Sequence, residues 1–267
     1  MSKKRVLFVT QEMSPYTAVT EISEFVRKLT PYIQTKGMEI RVLMPKFGLI
    51  NERRHRLHEV VRLSGMNIIV DDDDYPLIIK VASLPGARMQ VYFLDNEEFF
   101  KRKHVFVDEE EKAFKDNQER MVFFCKGALE TVKKFGWAPD VVHCHGWMTS
   151  LIPLYLKKVY NNDPIFQDSK IIYSAYKDSM EESFDKKFVE LAAINTLEDE
   201  DLAPFVDGDK ITLHEGALRH SDAIIKGSEE LSKSVSNVIS DLDVPVLEYS
   251  EIEDMPAATL QFFKELM

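Results

Sequence analysis

Cysteine, glycine and positive charge are all scarce in this chain. Two cysteines in 267 residues exclude a disulfide framework. Cys125 falls in an apolar helical pattern and Cys144 in a strand-like run, as expected of reduced core thiols. Lys and Arg number 34 against 45 Asp and Glu, a net charge of -11. Nucleic acid and anionic membranes call for a basic surface, so neither is an expected partner, and a neutral or small ligand fits better. No apolar window approaches the roughly 18 to 20 residues of a membrane span. Met1-Ser-Lys-Lys-Arg5 imitates the start of a secretion leader, but the apolar run Val6 to Val9 is too short to complete one, and a cytoplasmic location is expected. Glycine is missing altogether from the loop Gln11 to Thr20, which excludes a dinucleotide fingerprint there. No P-loop, Cys-x-x-Cys pair, zinc-protease pattern or Ser/His/Asp set is present.

What is present is an alternation of apolar runs and helical periods. Hydrophobic residues make up 45% of the chain, enough for one large or one and a half average domains. Arg5 to Thr10 reads as a central parallel strand, continuously apolar and rich in β-branched residues. Ile22, Phe25, Val26, Leu29 and Ile33 then recur at helical spacing, with Thr20 as N-cap, Gly37 just past the end and Pro31 as an expected kink. Glu39 to Met44 completes a right-handed βαβ unit. From His58 to Asp95 the runs Met66 to Val70, Tyr75 to Ser83 and Met89 to Leu94 read as an antiparallel insertion. The aspartates Asp71 to Asp74 are expected at a solvated hairpin turn, since they lack the ligand spacing of a calcium loop. Arg53, Arg54 and Arg56 are read as a solvated face, with an anionic ligand as the sharper alternative.

Asp95 to Asp116 reads as irregular and Asn117 to Lys134 as an amphipathic helix. Val141 to Cys144 is a short buried strand, and a helix resumes at Thr149. Lys170 to Ser174 and the run ending at Lys226 are further strands. Helices are expected at Phe184 to Leu197, Ile211 to His220, Glu229 to Ile239 and Met255 to Met267, with Leu260, Phe263 and Leu266 packed on the domain. The fold class is therefore α/β, a single Rossmann-like, doubly wound and mostly parallel sheet with an antiparallel insertion at about 58–95. Ligands bind such sheets beyond the carboxyl ends of the strands, which points at His143, His145, Gly146 and Trp147. The histidines are open to three readings: metal ligands, sugar contacts or satisfied structural residues. Trp147 is either a sugar-stacking platform or core.

The run His143-Cys-His145-x-Trp147-x-Thr149-x-Leu151-x-Pro153-Leu-Tyr155-Leu-Lys157 resembles the "HxHDWHTALxPLYLK" signature of bacterial glycogen and plant starch synthases. Glu119 to Glu130, Gly136-Trp-x-Pro-Asp-Val-Val-His143 and Glu12-Met-Ser-Pro15 resemble the same family, and the likeness extends from Arg5 to about Val238. It implies half of a GT-B glycosyltransferase, the amino-terminal or acceptor side, in an enzyme that moves glucose from ADP-glucose or UDP-glucose to an α-1,4-glucan. Two such domains need about 450 residues, so a second protein chain supplying the other half is an expected partner. The resemblance makes His143, His145, Trp147 and Thr149 the candidate substrate-binding residues.

Several positions depart from the family pattern. The family's phosphate-contacting lysine falls on Ala18 and its two glycines on Thr20 and Glu21. Its Asp-Trp-His becomes Gly146-Trp147-Met148, and its Thr-Ile-His-Asn becomes Tyr173-Ser-Ala175-Tyr176. Met148 has no titratable group to support transition-state charge. With Gly146 in place of a carboxylate, no metal is expected at the histidines, and no cofactor is expected at all. Catalytic residues stay unassigned. The alternative is a non-catalytic glucan-binding or protein-binding module descended from such a domain.

Overall fold

The computed structural model describes residues 3–177, 180, 183–194 and 197–267. Met1 and Ser2 of the leader-like start, and Asn195 and Thr196 of the expected Phe184 to Leu197 helix, lie outside them. The first layer is laid down by β1 (Arg5–Thr10), α1 (Glu21–Thr35), β2 (Glu39–Pro45), α2 (Glu52–His55) and β3 (His58–Glu59). Then come β4 (Met66–Val70), β5 (Asp73–Ser83), β6 (Gln90–Asp95), α3 (Glu97–Phe100) and α4 (Asn117–Phe135). The middle of the chain forms β7 (Val141–His145), α5 (Leu151–Lys158), β8 (Lys170–Ala175), α6 (Lys187–Ala192) and α7 (Asp199–Leu202). A two-residue hairpin of β9 (Val206–Asp207) and β10 (Lys210–Ile211) precedes α8 (Leu213–Arg219), β11 (Ala223–Lys226), α9 (Lys233–Asp241), β12 (Val246–Leu247) and α10 (Met255–Leu266).

The main sheet has the order β12-β11-β8-β7-β1-β2-β6-β5-β3, with β4 paired to β5. From β12 to β6 every neighbouring pair is parallel. β1 and β7 are buried along almost their whole length, as strands covered on both faces must be. The chain moves outward from β1 to β2 and β6 and then returns to the other side of β1 at β7. That reversal makes the β1/β7 boundary the topological switch point. β6 corrects the expected insertion. Val42 to Pro45 of β2 pair in parallel with Val91 to Leu94 of β6, so only β3, β4 and β5 are antiparallel additions. Asp71 lies in the β4–β5 turn with positive φ.

Helix α1 begins where the sequence says it must. Thr20 and Ser23 form a reciprocal capping box, and Ile22, Phe25, Val26, Leu29 and Ile33 face the core. Pro31 sits within the helix, which continues to Thr35. α1 packs against α10, while α4 packs against α5 and α6, and α5 against α8. Phe263 of α10 is fully buried and Leu260 nearly so, while Leu266 is half-buried. Other helices depart from expectation at their ends. Among the described residues after Phe184 the expected helix is formed over Lys187–Ala192, α9 starts at Lys233, and α3 orders part of the stretch read as irregular. Arg53, Arg54 and Arg56 are exposed. Among the described residues no helix is long and apolar enough to cross a membrane.

Candidate functional site

The carboxyl ends of β1 and β7 are tied together by one residue. The Gln11 N–H donates to the His145 carbonyl at 3.4 Å, and Gln11 Oε1 accepts from the Met148 N–H at 3.2 Å. Between them lies Gly146 at φ 83°, a conformation that L side chains rarely adopt. A Cβ there would stand 2.3 Å from Gln11 Oε1, so position 146 admits only glycine while Gln11 bridges the strands. The chain then turns through a single 3-10 turn, Trp147–Thr149, before α5. Thr149 Oγ1 donates to the Gly146 carbonyl at 2.8 Å. The Cys125 thiol donates to the Met148 carbonyl at 3.2 Å.

Beyond this tie is a crevice of about 300 Å³ lined by Gln11, Glu12, Thr20, Glu21, Phe106, Trp147 and Tyr176, with Ile22 and Met180 at its margins. Its carboxylates are held by hydroxyls. Thr20 Oγ1 donates to Glu12 Oε2 at 2.8 Å, and Ser228 Oγ donates to Glu21. The Ala18 carbonyl accepts from Ser23 Oγ at 2.8 Å. The capping box consumes the amides of Thr20 and Ser23, and Glu21 and Glu24 place negative charge in the first turn of α1. A diphosphate needs free amides and cations, and this helix start offers carboxylates. A neighbouring cavity of about 320 Å³ shares Thr20 and Glu21 and adds Glu24 and Glu251.

Of the candidate residues, Trp147 alone reaches the crevice. Even so it is 1% exposed, with Phe106 and Phe184 edge-on to it at 4.9 and 5.7 Å. His143, His145 and Thr149 are fully buried. The two imidazoles project to the same face of β7, as residues two apart in a strand do, with centroids 3.9 Å apart. Phe8 of β1 stacks on His145, Phe25 of α1 meets it edge-on, and Phe263 of α10 meets His143 edge-on. Each ring spends one nitrogen on β8 or the residue just after it. His143 Nε2 pairs with Ser174 Oγ at 2.7 Å and His145 Nδ1 with Tyr176 Oη at 2.9 Å. Among the described residues His143 Nδ1 and His145 Nε2 have no hydrogen-bond partner. Burial pushes both imidazoles down, His145 to about 3 and His143 well below its ordinary value with His145 adding to the effect. Both are neutral at physiological pH.

Tyr176 is buried, and the same burial pushes its phenol up. Ala175 is buried at the end of β8, while Ala18 is exposed. Met148 is buried beneath the crevice floor. Cys125 and Cys144 are buried free thiols, and burial pushes both up, which makes them inert as nucleophiles. Among the described residues no three His, Cys, Asp or Glu side chains are grouped so as to hold a metal ion. Gln11, Phe106 and Met180 carry no signal in the sequence. Gln11 is visible only as the residue that follows a buried strand.

A parallel sheet with its crevice at the β1/β7 switch point defines the α/β domain from which GT-B glycosyltransferases are built. The chain belongs to the starch synthase catalytic domain family, which matches residues 5–239. It is 39% identical to the glycogen synthase of Chlorobium limicola over 173 residues, 64% of this chain and 35% of that protein. It is 32% identical to the glycogen synthase of Chlorobaculum tepidum over 248 residues, 92% of this chain and 49% of that protein. The chain thus spans about a third to a half of the length of these relatives. Its fold matches the catalytic domain of starch synthase IV from Arabidopsis thaliana, a structure bound to ADP and acarbose. The TM-score is 0.76 at 19% identity, covering 95% of this chain and 53% of that one.

Proposed function

We propose that the chain is the acceptor-side domain of a glycogen- or starch-synthase-type glucosyltransferase. In this reading it binds α-glucan at the carboxyl edge of the sheet. The donor contacts, to ADP-glucose or UDP-glucose, come from a second Rossmann-like domain, in continuing sequence or on a second chain. A cytoplasmic location belongs to the same reading. The observation that carries it is the lining of the crevice. Hydroxyls, an amide, an aromatic edge and two carboxylates suit a neutral polyol, whose hydroxyl groups donate to carboxylates. They do not suit a diphosphate. A carboxylate within a few Å of a phosphate costs on the order of 3 kcal/mol at an effective surface dielectric, and Glu12 and Glu21 are two of them.

Transfer by this domain alone is not expected. It requires a water-poor cleft with the donor held against the acceptor, and one wall does not exclude water. The test is transfer of labelled glucose from a nucleotide sugar to glycogen, with a full-length synthase as control, alongside co-sedimentation with glycogen. Retention on glycogen without turnover is the expected result. Turnover by this chain alone at the control's rate, or no retention at all, overturns the reading. A binding module without any catalytic partner is the second reading, favoured by the complete enclosure of His143 and His145. Transfer that appears when a donor-side domain is added decides for the first.

A further inference from the structure

We propose that the amino edge of the sheet, remote from the crevice, holds a binding site for a phosphate-bearing small molecule, built on Arg41 and Arg88. The two arginines line a cavity of about 420 Å³ together with Gln34, Glu39, Ser83, Gln90 and Tyr92. β2 and β6 enter the sheet side by side at this edge, Leu43 opposite Tyr92, so Arg41 and Tyr92 stand on one face. The guanidinium of Arg41 lies 4.2 Å from the ring centre of Phe135 and 4.7 Å from that of Trp137. Its Nη1 is shut off from solvent and, among the described residues, makes no hydrogen bond.

Among the described residues Arg41 forms no ion pair, and its nearest carboxylate, Glu39, is paired with Arg5. Desolvation pulls the Arg41 pKa down, the mark of a charge taken from water without full compensation. Glu39, the carboxylate in the lining, is already engaged. It accepts from Trp137 Nε1 at 2.7 Å and forms an ion pair with Arg5 Nε at 3.5 Å. Glu39 offsets part of that cost, while Arg5 and Arg62 add positive potential at Arg41. Arg88 is exposed and, among the described residues, forms no ion pair. Four arginines around one occupied glutamate are exceptional in a chain with 45 acids to 34 bases. Packing alone explains the rings on Arg41, but not the second unpaired arginine or the cavity between them.

The lining selects the ligand class. The planar guanidinium fork of the exposed Arg88 matches a phosphate through paired N–H donors, with the charge of Arg41 beside it. Around it Gln34 Nε2 is used by the Arg88 carbonyl at 3.0 Å and Gln90 Oε1 by the Tyr92 hydroxyl at 3.0 Å. Gln34 Oε1, Gln90 Nε2 and the Ser83 hydroxyl remain for the hydroxyl groups of a small polyol.

The test is amide chemical-shift titration of the whole chain with inorganic phosphate, ribose 5-phosphate and ribose. Amides at Arg41 and Gln90 to Tyr92 shift with both phosphates and stay still with ribose. Affinity falls with added salt. Arg88→Gln, at an exposed position, weakens both about tenfold with the fold intact, whereas Arg53→Gln, on exposed α2, changes neither. Arg41→Gln abolishes binding; Arg88→Gln decides the matter if Arg41→Gln does not fold. Tighter binding of ribose 5-phosphate than of phosphate shows that the amides read the sugar. Absence of shifts at millimolar phosphate, or shifts indifferent to Arg88→Gln, overturns the proposal.

Discussion

At the carboxyl edge of β7 and β8, polar side chains are closed in by their neighbours. His143 is bonded to Ser174, His145 to Tyr176, and Gln11 spans two strands to Met148. At the amino edge of β2 and β6 the opposite holds, with Arg41 clasped by rings and, among the described residues, neither Arg41 nor Arg88 in an ion pair. One sheet thus carries an end where the β7 histidines serve the fold and any contact is left to the crevice beside them, and an end whose charges wait on something outside it. The carboxyl edge is where such folds bind ligands, so its closure teaches that position in a fold is not enough to assign a contact. The side chain must also reach a surface.

The largest effect should come from putting a side chain at the bridge. Gly146→Asp restores the family's carboxylate, but at φ 83° and 2.3 Å from Gln11 Oε1. Backbone strain and overpacking together should cost about 4 kcal/mol in urea unfolding, with partial recovery in Gly146→Asp/Gln11→Ala. A loss below about 1 kcal/mol would show that the two strands are not locked at this point.

The lid over the histidines comes next. Phe263 packs on Phe8 and His143, so Phe263→Ala should cost about 3 kcal/mol by cavity formation. It should also open His143 to modification by an imidazole-directed acylating reagent. In the unaltered chain the amides of α10 from Leu260 onward should resist hydrogen exchange; rapid exchange there would mean the helix does not cover the strand.

How much of this was readable in the residues differs between the two edges. The buried strands β1, β2, β7, β8 and β11 announce themselves as short apolar runs, because strands covered on both faces need no polar side. β6 does not, since its parallel pairing with β2 is set by a partner far away in sequence and Met89 to Leu94 looks like the return arm of a hairpin. The short helix after Phe184 was over-read because apolar spacing alone does not say where a helix loses its packing. At the site, the spacing of His143 and His145 puts them on one face only if both lie in extended backbone, and both lie in β7. That Phe25 and Phe263 roof them does not follow from spacing, because burial there is decided by two helices meeting over the strand. Phe106 enters the crevice from a stretch without periodicity, and no local pattern signals it. Arg41 reads as an ordinary polar residue in a strand, and only the rings of Phe135 and Trp137 make it unusual.

A pH titration of stability sharpens the contrast at the closed edge. A histidine whose folded pKa lies below its unfolded value takes up its proton more readily when unfolded, so stability holds above the unfolded value of about 6.5 and falls as the pH drops. For His145 the loss should run from about pH 6.5 down to its folded value of about 3, at about 1.4 kcal/mol per pH unit. His143 titrates in the same direction. The double substitution His143→Gln/His145→Gln should flatten the slope between pH 6 and pH 4, a range chosen to sit inside that window of roughly 6.5 to 3, whatever it does to stability at pH 7. A slope identical to that of the unaltered chain would place the acid sensitivity elsewhere.

The smallest effect is also the one that tests the open edge most directly. Arg41→Met keeps a long flexible stem against Phe135 and Trp137 and removes the charge. What is lost is the attraction of a cation to two rings, about 0.5 to 1 kcal/mol each at a partly exposed site. What is recovered is the cost of holding a guanidinium half out of water with Nη1 unbonded, which is at least as large. Stability should therefore stay level or rise by up to about 1 kcal/mol, the sign expected where a residue is kept for binding rather than for the fold. Arg120→Met is the matched control, because that buried arginine donates from Nε to the Phe99 carbonyl and from Nη1 to Asn117 Oδ1, both at 2.8 Å. Its loss strands two acceptors and should destabilise. If Arg41→Met proves the more damaging of the two, the arginine at the amino edge is a structural strut, and the difference between the two edges lies in packing rather than in binding.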